Sequence, residues 1–254
     1  MKIESPELTE LPGVRHGFFG RQGGVSDGAW SSLNVGLRSG DQPERIEANR
    51  ALVAAKLGVV PSGLVTARQV HGATAIAVTE PWDNWQAPDA DALATNRPGL
   101  LLGVLAADCG PVLLADAAAG VIGAAHAGWK GALGGVLEAV VATMTGLGAQ
   151  PGRITAALGP CIGQASYEVG PDFIDRFASA EPDSDRFFRA AGEKALFDLM
   201  GFIVMRLARA GVGRVDSLAY DTCAEEGRFF SYRRAMLRRE ERFGLQLSAI
   251  ALDG

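Results

Sequence analysis

The stretch GLLLGVLAADCGPVLLADAAAGVIGAAHAGWKG, residues 99–131, decides the fold. It holds three apolar runs, 99–108, 111–116 and 121–128, separated by a few residues each and punctuated by Asp, Gly and Pro. Runs of that length, bounded by turn residues, read as buried strands and not as helices. From Trp129 to Leu147 the period changes, and Leu133, Leu137, Val140, Val141 and Met144 fall on one helical stripe. A strand therefore feeds a helix immediately after His126.

Outward from this centre the same reasoning extends along the chain. Residues 15–40 are rich in Gly, Ser and Asn, with Gly20, Gly23 and Gly24 around Arg21, and read as a tightly turning segment that holds one guanidinium in place. Residues 43–58 predict a helix, with Pro43 in the first turn and Gly58 as its cap. Residues 64–78 alternate around His71 and Gly72 as a strand pair, while 88–95 is a polar, acidic segment. Strands are predicted over 153–160, 215–220 and 245–252, a short helix over 171–178 and a long amphipathic helix over 193–212. Mixed strands and helices without a linker or internal repeat predict a layered α/β protein with a mixed sheet of α+β type, a single domain over residues 1–254.

Composition narrows the function. The net charge is −5 with acidic and basic residues interspersed, so no basic face is available for nucleic acid. Asp108, Pro111 and Asp116 break the longest apolar stretch, which leaves no membrane span, and the N-terminus lacks the apolar core of a signal peptide. A cytoplasmic protein is expected, and a monomer suits a domain of this size. The three cysteines, at 109, 161 and 223, follow no disulfide framework, which favours thiol or metal chemistry in a reducing compartment.

Cys109, His126 and His71 each stand where a predicted strand ends, which is where layered α/β proteins assemble sites. Two chemistries fit. A thiolate and two neutral imidazoles can bind a borderline-soft divalent ion and leave a fourth position open. Alternatively, His126 can activate Cys109 as a metal-free nucleophile. Separations of 38 and 17 residues differ from those of structural zinc fingers, so a metal here would be catalytic. The zinc-deaminase signature, the P-loop, the dinucleotide fingerprint and the nucleophile elbow are missing.

The motifs HGFFGRQGGVS, SSLNVG, NR at 49–50, QVHG, DADAL, ADCGPVLLAD, AAHAGWKG and LGPCIGQASYEVG together resemble the YfiH-like family, also called the multicopper polyphenol oxidase or laccase-domain family. The resemblance implies a YfiH-like α/β domain related in layout to certain cysteine-histidine hydrolases and deamidases, with zinc bound by His71, Cys109 and His126. It implies phosphate-dependent cleavage of adenosine, inosine, guanosine and methylthioadenosine, with adenosine deamination as a companion activity. Relatives have also been linked to editing of peptidoglycan precursors, which would suit the metal-free reading. The older name implies copper-dependent phenol oxidation, but three histidines are too few for a trinuclear copper cluster.

For the implied chemistry, Arg21 and Lys130 are the cations expected on phosphate or substrate oxygens. Asp108 is expected to orient a histidine or shuttle a proton, unless it caps the following turn. Asn34, Gln69 and Arg68 are lower-ranked candidates for ribose or base contacts. Cys161 reads as a packed neighbour of the site and Cys223 as structural. The chain departs from the usual family pattern before Arg21, at Arg68 and at Lys130, where Phe19-Gly20, Arg and Lys stand in place of the common Thr, Asn and Arg. These departures bear on substrate contacts and leave the three ligands intact.

Overall fold

The computed structural model describes residues 1–253. The central stretch forms strands β6 (Leu101–Ala106), β7 (Gly110–Asp116) and β8 (Val121–Ala127). They do not share one sheet. β6 lies in a five-stranded sheet ordered β1 (Lys2–Ile3), β2 (Val14–Phe19), β14 (Gln246–Leu252), β6 and β3 (Leu64–Thr66). β7 and β8 lie in a six-stranded sheet ordered β13 (Arg214–Ser217), β9 (Thr155–Leu158), β7, β8, β5 (Ala92–Thr95) and β4 (Ala75–Ala77). Each sheet mixes parallel and antiparallel pairs.

The sheets pack face to face, and strand alternation assigns every residue of the apolar runs to a layer. Leu102 and Val104 meet Leu113, Ala115, Ile122 and Ala124 between the sheets. Leu101 and Leu247 turn outward onto Val53 and Ala54 of helix α2 (Pro43–Lys56) and onto Leu57, which caps it. On the other outer face, Val112, Leu114 and Ala125 pack beneath helices α4 (Val136–Gly146) and α6 (Leu199–Arg209). Burial on both faces of each sheet is why the runs look continuously apolar.

Three expectations need correction. The helix read over 129–147 is broken by Gly135, whose φ of +99° separates α3 (Trp129–Gly134) from α4. The helix read over 193–212 begins only at Leu199, because the Asp198 side chain caps it through the Gly201 N–H. Lys194–Phe197 instead forms β12, paired with β10 (Glu168–Val169) and β11 (Phe188–Ala191) in a small antiparallel sheet. The strand pair read over 64–78 is split, since β3 and β4 belong to different sheets.

That split matters for the site. The chain passes from the five-stranded to the six-stranded sheet twice, through the segment carrying His71 and through the turn carrying Cys109. Both crossings leave the five-stranded sheet from the same end, because β3 and β6 are parallel neighbours. Helix α5 (Pro171–Ala180) and the short α7 (Tyr232–Leu237) complete the surroundings, while α1 (Pro6–Thr9) packs against β2 and β9.

Candidate metal centre and substrate cavity

Register on the six-stranded sheet builds the centre. Ala125 of β8 faces Ala92 of β5, so the next pair outward is His126 opposite Asp91. The His126 N–H donates to the Asp91 carbonyl at 2.7 Å, and the His126 Nδ1 lies 2.8 Å from Asp91 Oδ1. On the other side of β8, Gly110 faces Ala127, which places Cys109 opposite Gly128 and diagonal to His126 on the same face. Gly128 is required for space: a Cβ there would lie 2.8 Å from Cys109 Sγ and 3.1 Å from the His71 ring.

His71 arrives from the other crossing. Its backbone is left-handed, with φ of +59°, a conformation costly for a non-glycine residue. Asp91 holds it there. Oδ1 accepts the His71 N–H at 3.0 Å, and Oδ2 accepts the Val70 and Gly72 N–H groups at 3.2 and 2.7 Å. One buried carboxylate therefore fixes the loop of one histidine and the ring of another. Burial opposes charge on Asp91, yet its hydrogen bonds with His126 and the loop amides hold its carboxyl below the ordinary value.

The ligand atoms of His71, Cys109 and His126 lie within 4.8 Å of one another, with Cys109 Sγ 3.8 Å from His71 Nε2. The imidazole rings meet edge to face at 4.9 Å. With Nδ1 engaged by Asp91, His126 presents Nε2 to the cluster. Burial would raise the Cys109 thiol, but His126 and His71 bring it down to about 6. Burial would likewise lower His126, and the neighbouring Cys109 and Asp91 raise it to about 9. Both shifts favour a thiolate beside an imidazolium. Two imidazoles, an acidified thiol and a carboxylate behind one imidazole form a donor set suited to a borderline-soft divalent ion.

The cluster opens into a cavity of about 1020 Å3, also lined by Trp129, Lys130, Tyr167, Phe173, Arg233 and Leu245. Burial pushes the Tyr167 hydroxyl above the usual phenol range, so it remains a donor. The Lys130 ammonium sits 5.6 Å from the Trp129 ring centre. Gln69 lines the cavity too, but its amide is paired with the Leu105 carbonyl and N–H at 2.7 and 2.8 Å, extending the ladder of β6. Arg68, another lining residue, is held by Asp89.

The other expected contacts lie elsewhere. Arg21 lines a separate cavity of about 540 Å3 and donates to the Ser31 and Glu226 carbonyls at 2.9 and 3.3 Å. Asn34 is fully buried and bonded to Ser39, Asp41, Gly36 and Leu245. The histidine bond expected of Asp108 is made by Asp91. Asp108, with φ of +95°, instead accepts Thr222 Oγ1, Ser231 Oγ and the Arg233 N–H at 2.7, 3.0 and 2.6 Å. Burial raises its carboxyl against those bonds. Cys161 is buried as expected.

Sequence reading missed Asp91 and Arg233. For Asp91 the available signal was its position at the head of an apolar strand, one register step from the pair that includes Ala125. Arg233 carried none, because its role depends on a turn 125 residues away.

Residues 15–253 match a family model described as multi-copper polyphenol oxidoreductase laccase. The chain is 43% identical over 91% of its length to a Deinococcus radiodurans protein named purine nucleoside phosphorylase, covering 87% of that protein. It is 37% identical to Escherichia coli purine nucleoside phosphorylase YfiH, covering 92% of this chain and 93% of that one. The crystal structure of Bacillus licheniformis hypothetical protein YfiH matches with a TM-score of 0.89 at 31% identity, over 96% of this chain and 94% of the other.

Proposed function

The chain belongs to the multi-copper polyphenol oxidoreductase laccase family, and from that premise we propose that it is a zinc-dependent purine nucleoside phosphorylase with companion adenosine deaminase activity. The observation that carries this reading is the His71, Cys109 and His126 cluster on the wall of a cavity with room for a nucleoside and a phosphate. The names of the relatives supply the substrate class.

His71, Cys109 and His126 would hold the ion, with Asp91 fixing the tautomer of His126. When bound, zinc supplies Lewis acidity at an open coordination position. In phosphorolysis an oxygen of hydrogen phosphate bonds to C1′ while the C1′–N9 bond breaks. The bonding pair leaves with the purine, and the hydrogen of the phosphate ends on the base. The protein's part is to hold both substrates in line and to exclude water, which would otherwise yield free ribose. Trp129, Tyr167 and Phe173 offer aromatic faces for the base, and Lys130 a charge for substrate oxygens.

Copper phenol chemistry is a weaker fit. The third histidine, His16, is buried and accepts the Ser5 N–H, so only two imidazoles reach the cavity. A second reading has one specific observation behind it: Cys109, His126 and Asp91 are also placed as a thiol, base and orienting carboxylate. Free thiols at all three cysteines support a cytoplasmic setting.

Elemental analysis of tag-free wild type and His71→Ala tests the centre. One zinc per chain, lost in the variant, supports the phosphorylase reading. A metal-free wild type whose activity survives chelation would transfer the assignment to the cysteine hydrolase.

A further inference from the structure

We propose that Arg233 is the phosphate anchor of the cavity, and that Asp108 is the positioning residue that holds it beside the cluster. This rests on the phosphorylase reading and supplies the oxyanion contact that Arg21, in its separate cavity, does not make.

Four cations line the main cavity. Arg68 is committed to Asp89, and Arg38 donates to the Trp85 carbonyl at 3.1 Å. Lys130 offers a point charge on an exposed side chain. Arg233 differs from all three. The residue is half-buried, and its guanidinium lies 5.3 Å over the Tyr167 ring and makes no ion pair or hydrogen bond among the described residues. A guanidinium on the cavity wall with its planar fork unused is a site for a bidentate oxyanion.

Its placement is also built. The Arg233 N–H donates to Asp108 at 2.6 Å, and the Thr222 and Ser231 hydroxyls donate to the same carboxylate. Asp108 is the residue before Cys109, so one turn carries the cluster's thiolate and the anchor of α7. Phosphate held by Arg233 would therefore be fixed relative to the cluster by a single backbone segment, at a residue whose left-handed conformation is held by three hydrogen bonds.

The test is calorimetric titration of zinc-loaded protein with inorganic phosphate, beside steady-state phosphorolysis, for wild type, Arg233→Gln, Arg233→Lys and Asp108→Asn. Arg233→Gln should weaken phosphate binding and raise the phosphate KM on the order of 10- to 100-fold, with the nucleoside KM within about 2-fold. Arg233→Lys should recover part of the loss, and Asp108→Asn should raise the phosphate KM more than it lowers kcat. Unchanged phosphate binding in Arg233→Gln, or equal losses for both substrates, overturns the proposal. Phosphate binding that needs Arg233 in a protein without phosphorolysis would leave the anchor standing and remove the phosphorylase reading. A wild type that phosphorolyses nucleosides with Arg233→Gln unaffected would do the reverse.

Discussion

Replacing Asp91 by Asn should damage the metal centre and the fold together. The buried carboxylate accepts four hydrogen bonds, from His126 Nδ1 and from the part-buried N–H groups of Val70, His71 and Gly72, at 2.7–3.2 Å. An amide keeps the shape but offers only one acceptor oxygen. If that oxygen stays on His126 and His71, the new NH2 faces the Val70 and Gly72 donors. Two part-buried donors left unpaired, at no more than about 1–3 kcal/mol each, cost at most roughly 2–6 kcal/mol. If the amide turns the other way, its NH2 donates to His126 Nδ1, the ring proton moves to Nε2, and a ligand lone pair is lost. Loss of such a supporting carboxylate typically weakens metal affinity by about 10- to 100-fold. Chelator competition for zinc and urea unfolding of the apo protein measure the two effects separately. Wild-type zinc affinity with an unchanged unfolding midpoint would refute the reasoning.

Other consequences are equally direct. In the metal-free protein, alkylation of Cys109 should follow a midpoint near the value of about 6, leaving it mostly thiolate at neutral pH, while Cys161 and Cys223, both raised by burial, react slowly; a Cys109 midpoint above about 8, near that of an ordinary thiol, would contradict the ion pair. Gly128→Ala adds a methyl 2.8 Å from Cys109 Sγ at a φ of −68° that any residue tolerates, so zinc affinity should fall at least about tenfold while stability drops by the ~1–3 kcal/mol of overpacking. Unaltered zinc binding would show that the space is not needed. His16 is buried with its value lowered to about 4 from 6.5, chiefly by burial. The unfolded chain therefore takes up the proton first as pH falls, so stability is full above 6.5 and is lost toward 4. By linkage this group removes ~2 kcal/mol between pH 7 and pH 5. Denaturant unfolding of His16→Gln should lack that component, and an identical pH slope in both proteins would sink the assignment.

The apolar runs around Cys109 and His126 were legible because strands buried on both faces have a distinctive length and composition. What they could not disclose was that β6 and β7 belong to different sheets, since a turn of three residues looks the same within a sheet and between two. The 193–212 periodicity concealed a strand because Leu196 and Phe197 satisfy either period, and only the cap at Asp198 separates them. Residues 14–19 disappeared into a glycine-rich reading although they form β2. At the site, His71, Cys109 and His126 were legible through their motifs and strand ends. The histidine-orienting role expected of Asp108 fell to Asp91, because sequence adjacency favoured Asp108 while cross-strand register favoured Asp91. Arg21 and Asn34 showed the limit of loop motifs, which mark residues that hold a backbone as readily as residues that touch a substrate.

The most direct measurement is product analysis of zinc-loaded protein incubated with adenosine at graded phosphate, beside Cys109→Ser. Adenine and ribose 1-phosphate formed in equal amounts, in proportion to phosphate and lost in Cys109→Ser, is the expected result. Base release that ignores phosphate or survives the loss of Cys109, or no base release at all, would contradict phosphorolysis at the His71, Cys109 and His126 centre.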